Sequence, residues 1–325
     1  MEETMERIIQ GKSRTRYPIW VLFLCLLIMS CSLFERREIS PNELSQIGTT
    51  EAYAILVDND IAYISNNNGI VIFDVLNPTK PRKLTSVPVG ENFALCKIQD
   101  TLYSCGEQFS MIDVSHPAQP AIIAEFGGVS GGFGLSVRDG YAYSCNSSGT
   151  LSCLDIRNPE EIQIVNSLPY SGHGSDLAIH GDVLYYANPQ NGLQIVDVQN
   201  PAAPKHLRTV PASAGAWDIY IQDDQLYLGR HRYGVTVYDI QNSTYPEAIG
   251  NFANMGEAYG VSVEGERLYV ADLAEGVKLL DVSDPSYPVL MREDRHYAPH
   301  DLFVNENIIY LSDQDLGLVI MQFAE

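Results

Sequence analysis

Gly69-Ile70-Val71-Ile72-Phe73-Asp74-Val75 decides the fold, because it returns later in the chain as Gly192-Leu193-Gln194-Ile195-Val196-Asp197-Val198. The same pattern, a short apolar strand closed by an aspartate, occurs at Phe109–Asp113, Leu151–Asp155, Val235–Asp239 and Val277–Asp281. The aspartates Asp74, Asp113, Asp155, Asp197, Asp239 and Asp281 stand 39, 42, 42, 42 and 42 residues apart. A seventh copy, Leu318–Met321, carries Gln322 at the aspartate position, 41 residues after Asp281. A period of roughly 40–45 residues is that of one four-stranded blade. Seven copies predict an all-β, seven-bladed β-propeller.

Each repeat divides into four strands. Val261–Glu264, the turn Gly265-Glu266 and Leu268–Ala271 read as a hairpin, two apolar runs joined by a turn dipeptide. A glycine (Gly69, Gly149, Gly192, Gly234, Gly276 or Gly317) then leads into the aspartate-ending strand. Prolines follow four residues after the aspartate (Pro78, Pro117, Pro159, Pro201, Pro285) and seven after it (Pro81, Pro120, Pro204, Pro246, Pro288). They stop the third strand and set the turn into the fourth. The repeated aspartates are expected to accept backbone N–H groups of this loop. A metal role is the weaker reading, since no second ligand recurs at fixed spacing.

The two ends of the chain complement each other. The chain stops three residues after Gln322, so the last repeat lacks a fourth strand. Fourth strands elsewhere follow the spacing Pro81, Leu84, Val87 or Pro246, Ile249, Phe252, and Pro41, Leu44, Ile47 repeat it. Residues 41–48 are therefore expected to complete the last blade and close the ring, removing an open sheet edge.

The compartment is set by the first thirty residues. A basic start (Arg7, Lys12, Arg14, Arg16) precedes the eleven-residue apolar run Ile19–Met29. That run is short for a membrane span and suits a signal-peptide core. Ile28-Met29-Ser30-Cys31 resembles the lipobox of bacterial lipoproteins, which implies cleavage before Cys31 and a lipid on its thiol. Ser32, in place of Asp, implies the outer membrane where there is one. An uncleaved anchor ending near Cys31 is the alternative, and either places the propeller outside the cytoplasm. The expected divisions are residues 1–30 as signal peptide, 31–40 as lipidated tether and 41–325 as propeller.

Removing a segment with four basic and three acidic residues takes the net charge from −21 to −22. Such a charge argues against nucleic acid or anionic lipid as a partner of the domain face. Cys96, Cys105, Cys145 and Cys153 remain as candidates for buried thiols; a disulfide is permissible outside the cytoplasm, but its pairing is not legible. Nothing in the pattern calls for a second copy, so a monomer is expected.

The strands around Asp74 and Asp197, with the Asn158-Pro159 and Asp284-Pro285 continuations after Asp155 and Asp281, resemble LVIVD repeats of bacterial and archaeal surface proteins. The resemblance covers residues 41–325 and implies a propeller at the cell surface. His116, Ser243 and Gln322 depart from the repeat at single loops. The family shares no common chemistry, so no substrate follows.

A site is expected where the first strands begin, at one mouth of the central channel. The residue ten before the second-strand tyrosine gives Tyr53, Phe93, Phe133, Ser175, Trp217, Tyr259 and His300. The next position gives Ala54, Ala94, Gly134, Asp176, Asp218, Gly260 and Asp301. His173 and the cluster Arg230-His231-Arg232-Tyr233 fall nearby. In one reading the rings only pack on one another. In the second, the expected function, they stack on a sugar or peptide side chain while Arg230 or Arg232 takes a carboxylate. In the third, an aspartate works with His173 or His300 as acid and base in a hydrolase or lyase, with or without a metal. No nucleophile elbow, HExxH, CxxC pair or phosphate-binding loop supports catalysis, and no cofactor is expected. A scaffold within an envelope complex would instead use the broad outer faces.

Overall fold

The computed structural model describes residues 40–48, 51–129, 131–210 and 213–324. The expected signal segment and Cys31 lie outside the described residues. Runs rich in Val, Ile, Leu and Tyr, cut by polar turns, fold each repeat as an antiparallel meander. In the sixth repeat the strands are Ala258–Glu264, Arg267–Asp272, Gly276–Asp281 and Val289–Asp294. Twenty-eight such strands among the described residues make seven four-stranded sheets. The first strand of each sheet packs beside the first strands of its two neighbours, in a closed cycle of seven blades.

The core lies in the seams between blades. Seven apolar clusters form, one per seam; between blades 5 and 6, for example, Tyr227 and Val237 meet Val261, Leu268 and Leu280. Five of the second-strand tyrosines, Tyr63, Tyr143, Tyr185, Tyr227 and Tyr269, are among the largest fully buried side chains. Their hydroxyls reach across seams: Tyr143 donates to Pro201 O at 3.1 Å and Tyr185 to Ser243 O at 2.8 Å, each in the next blade's proline-marked loop.

All six repeated aspartates accept the N–H two residues on. Asp74 takes that of Leu76 at 3.2 Å, and the other five take theirs at 2.8–3.1 Å. They are structural Asx turns. The next residue then ties the loop to the blade's hairpin turn, as Val75 N–H does to Asp60 O at 2.8 Å. The glycine before the third strand is required by space as well as by φ: at Gly234 (φ 79°) a Cβ would fall 1.9 Å from Phe252 O. The four cysteines are free thiols, and burial pushes Cys105 up to about 11 and Cys153 to about 12.

Glu43–Ile47 pairs antiparallel with Gly317–Met321, with Gln46 opposite Val319 and Ile47 opposite Leu318. The N-terminal strand thus supplies the outer strand of blade 7, as its spacing predicts. Leu44 and Ile47 pack on the seam between blades 7 and 1. Gln322, where the aspartate is missing, donates its N–H to Asn42 O at 3.0 Å.

The buried Asp294 of blade 6 fastens this strand. Its carboxylate accepts from the Ser40 hydroxyl, from Asn42 Nδ2 at 2.7 Å and from His296 N–H at 3.1 Å. Burial opposes its charge, but the bonds from Ser40, Asn42 and His296 outweigh burial and hold it below the usual carboxylate range. Asp294→Ala leaves these donors unpaired, and Leu44→Ala with Ile47→Ala strips the closing strand of its apolar contacts. Each variant should lose about 1–3 kcal/mol in guanidinium unfolding. Because the folded carboxyl is depressed, the Asp294 contribution is present above its unfolded value and disappears on acidification through the folded one.

Candidate functional site

Seven rings close a collar around the channel mouth. Going round, the centroid separations are 4.9 Å for Tyr53–Phe93, 4.7 Å for Phe93–Phe133 and 6.4 Å for Phe133–His173. They continue at 5.5 Å for His173–Trp217, 4.5 Å for Trp217–Tyr259, 6.0 Å for Tyr259–His300 and 6.0 Å for His300–Tyr53. Most pairs are tilted or edge-on, the arrangement the ring quadrupole favours. Blade 4 offers Ser175 at the repeat position, and His173, two residues earlier, fills the gap. Gln190 holds it there, accepting His173 N–H at 3.2 Å while its Nε2 lies 3.0 Å from Nδ1.

Beneath the collar is a cavity of about 540 Å³, lined by the rings and by Ser147, Ser175, Asp176, Asp218 and Asp301. That volume lies within the range of small-molecule sites, roughly 300–1,000 Å³. No lysine or arginine lines it among the described residues. Ser175 is 9 % exposed and its hydroxyl has no hydrogen-bond partner.

The three aspartates bridge blades. Asp176 Oδ2 accepts Ile219 N–H at 2.9 Å, Asp218 Oδ2 accepts Val261 N–H at 2.6 Å and Asp301 Oδ2 accepts Ile55 N–H at 3.1 Å. They link blades 4 to 5, 5 to 6 and 7 to 1. The small residues of their column make room for them. A Cβ on Gly134 would lie 2.7 Å from Asp176 Cα, and one on Gly260 would lie 3.0 Å from Asp301 Cα.

Enclosure changes their charge. Burial first, then repulsion from Asp301, raises Asp176 to about 7 against the hydrogen bonds it accepts. Burial, with repulsion from Asp218, raises Asp301 to about 8. Asp218 is raised well above its ordinary value by burial and by the neighbouring Asp176 carboxylate. His173 and His300 are lowered by burial, which the Asp313 carboxylate partly opposes at His300. Among the described residues, no three His, Cys, Asp or Glu side chains converge as metal ligands.

Most of the residues expected at the mouth therefore meet there: Tyr53, Phe93, Phe133, His173, Asp176, Trp217, Asp218, Tyr259, His300 and Asp301. Arg230 and Arg232 do not line the cavity. Arg230 donates to Ala214 O at 3.2 and 3.1 Å and to Thr236 Oγ1 at 2.9 Å. Arg232 is 76 % exposed beside Glu257, at 3.6 Å. Arg230 stands three residues after the blade's tyrosine, where other blades carry Asn66, Asn146, Asn188, Asp272 and Asp313. Those side chains cap the following turn, as Asn66 does at Asn68 N–H, 2.8 Å away. That column was present in the sequence and marks Arg230 as a turn residue. His231, unassigned by the repeat, extends the collar at 6.1 Å from Trp217 and 5.4 Å from Tyr259.

The LVIVD repeat family matches residues 51–94, 171–210 and 255–293. No curated protein matches the chain. Among solved structures it is similar to the computationally designed Ika8 protein, at 12% identity over 87% of this chain and 100% of that one, with a TM-score of 0.66. It is also similar to U3-55K (11% identity, 86% and 97% covered, TM-score 0.67). The WD40 repeats of RRP9 superpose comparably (11% identity, 88% and 100% covered, TM-score 0.68). At these identities the likeness shows the fold alone.

A carboxyl raised by folding binds more protons folded than unfolded, so stability falls as pH climbs from the unfolded value through the folded one. Asp301→Asn removes that penalty and keeps an acceptor for Ile55 N–H. Its melting temperature should match the parent below about pH 4, where the carboxyl is protonated in both folded and unfolded chains, and exceed it by a margin that grows as pH rises toward 8.

Proposed function

We propose that this chain is a non-catalytic, lipid-anchored binding protein that works outside the cytoplasm and takes its ligand at the channel mouth. The observation that carries the reading is the closed aromatic collar over a cavity whose floor holds carboxylates and a hydroxyl without partner. A ring of side chains serving only packing would fill its own centre. Here the rings pack edge to edge and leave an opening of ligand size, with converging polar groups below. The basic start, the apolar run and Cys31 support export and a lipid anchor, which would hold the propeller close to a membrane surface. The outer blade faces remain available to an envelope protein partner.

One observation favours catalysis as a second reading. Asp176, raised to about 7, sits beside Asp218, itself raised well above its ordinary value, and neighbouring carboxyls perturbed by burial in a cavity suit proton transfer in a hydrolase or lyase. Binding remains preferred because seven rings make the wall of the cavity, and the thiol nearest Asp176, that of Cys145, is raised well above its ordinary value by burial.

A ligand at about a hundred times its dissociation constant should stabilise the fold by about 2.7 kcal/mol, which a thermal-shift screen of glycans, peptides and small charged molecules detects. Trp217→Ala should remove that shift while leaving a cooperative unfolding transition. Turnover of a hit, lost with Asp176→Asn, would replace binding by catalysis. For the anchor, Cys31→Ala should move the protein from the membrane to the soluble fraction of the cell envelope; unchanged membrane association would overturn the lipid assignment.

A further inference from the structure

Resting on the collar as a ligand site, we propose that its ligand is an organic ammonium cation, seated among the rings with its charge facing Asp176, Asp218 and Asp301. The charge balance of the cavity leads there. Buried carboxylates are normally paired with cations or hydrogen-bonded throughout. These three accept backbone N–H groups, yet no cationic side chain lines their cavity among the described residues. Burial and mutual repulsion raise all three instead, so each holds its proton more tightly than an ordinary carboxyl does.

The walls select the kind of cation. Ring faces attract a cation whose charge is spread over alkyl groups, within about 6 Å of a ring centroid. They offer nothing to a small hydrated metal ion, which needs converging oxygen or nitrogen ligands. An anionic ligand is disfavoured by the floor, and the arginines that would have welcomed it are bound to Ala214, Thr236 and Glu257 outside the cavity. The unpartnered Ser175 hydroxyl supplies a second polar anchor, suited to an N–H or hydroxyl on the ligand.

The groups facing the floor do not reverse this balance. Across the seam from Asp176 is the Cys145 thiol, kept neutral by burial. Above stand His173 and His300, with the carboxylate of Asp313 acting on His300. At the rim, Glu51 accepts the Tyr53 hydroxyl at 3.1 Å, Glu91 also acts on Tyr53, and Glu257 lies 3.5 Å from His231 Nε2. The rim is acidic, and the chain as a whole carries −21, a field that draws cations inward. A cation favours the ionised carboxylates, so its entry expels protons and its affinity rises with pH.

The test is calorimetric titration of the full chain with tetramethylammonium and choline, against the neutral carbon isostere of choline, 3,3-dimethyl-1-butanol. Choline should bind at least about tenfold more tightly than the isostere near pH 8. Its affinity should fall about tenfold or more on going to about pH 6, with proton release seen as a heat that depends on the buffer. Asp176→Asn with Asp301→Asn should flatten that pH profile, whereas Trp217→Ala weakens cation and isostere alike. Equal binding of the isostere, or a cation affinity that ignores pH, overturns the cation and leaves the collar as a binding site for something else. Failure of every probe, together with a thermal-shift screen blank for all ligand classes, overturns both. The isostere comparison needs no variant, so a substitution that unfolds the ring does not decide it.

Discussion

Seven inner strands converge on one axis, and the closeness of that approach governs the rest of the molecule. At two positions the next blade comes very near: a Cβ on Gly134 would clash with Asp176 Cα at 2.7 Å, and one on Gly260 would crowd Asp301 Cα at 3.0 Å. Three aspartates in the same column accept N–H groups from the neighbouring inner strand, and one of them, Asp301 to Ile55, crosses the seam where the chain's ends meet. The residues before two of them, Trp217 and His300, stand in the collar. Collar and floor are thus two consequences of one strand arrangement.

The site and the scaffold pull in opposite directions. Holding three carboxyls in one enclosed channel costs stability, because burial and mutual repulsion both oppose their charge. They recover part of that through the inter-blade hydrogen bonds and part by keeping protons. The compensating stability sits elsewhere, in the apolar seams and in the closure of blade 7 by Glu43–Ile47. The Asp294 carboxylate shows the contrasting solution: buried in the protein, it is surrounded by donors that hold it below the usual carboxylate range. Two buried acids in one protein therefore behave differently because one faces a cavity and the other faces its partners.

Much of this was legible in the residues. Asp74 and its five counterparts are short-range devices, and an Asx turn needs only two residues of sequence. The match of Pro41, Leu44 and Ile47 to other fourth strands was enough to close the ring, because apolar spacing encodes which face a strand buries. The collar residues were found by their constant distance from the second-strand tyrosines. Arg230 was misplaced for want of a comparison with Asn66, Asn146 and Asn188, although its column was in plain view. His231 stands in a column of unlike residues (Asn67, Glu107, Ser147, Pro189, Leu273, Gln314), so the repeat gave no sign of its contact with Trp217 and Tyr259.

The sequence by itself determined the blade count, the strand order, the closing strand and six of the seven rings at the mouth. All of these follow from periodicity and local turn chemistry. Only the tertiary structure decided that His173 replaces Ser175 in the collar, that the arginines turn away, and that Asp176, Asp218 and Asp301 share one enclosed space. The physical reason is that burial and charge coupling depend on distances between blades forty or more residues apart. No pattern within one blade records those distances.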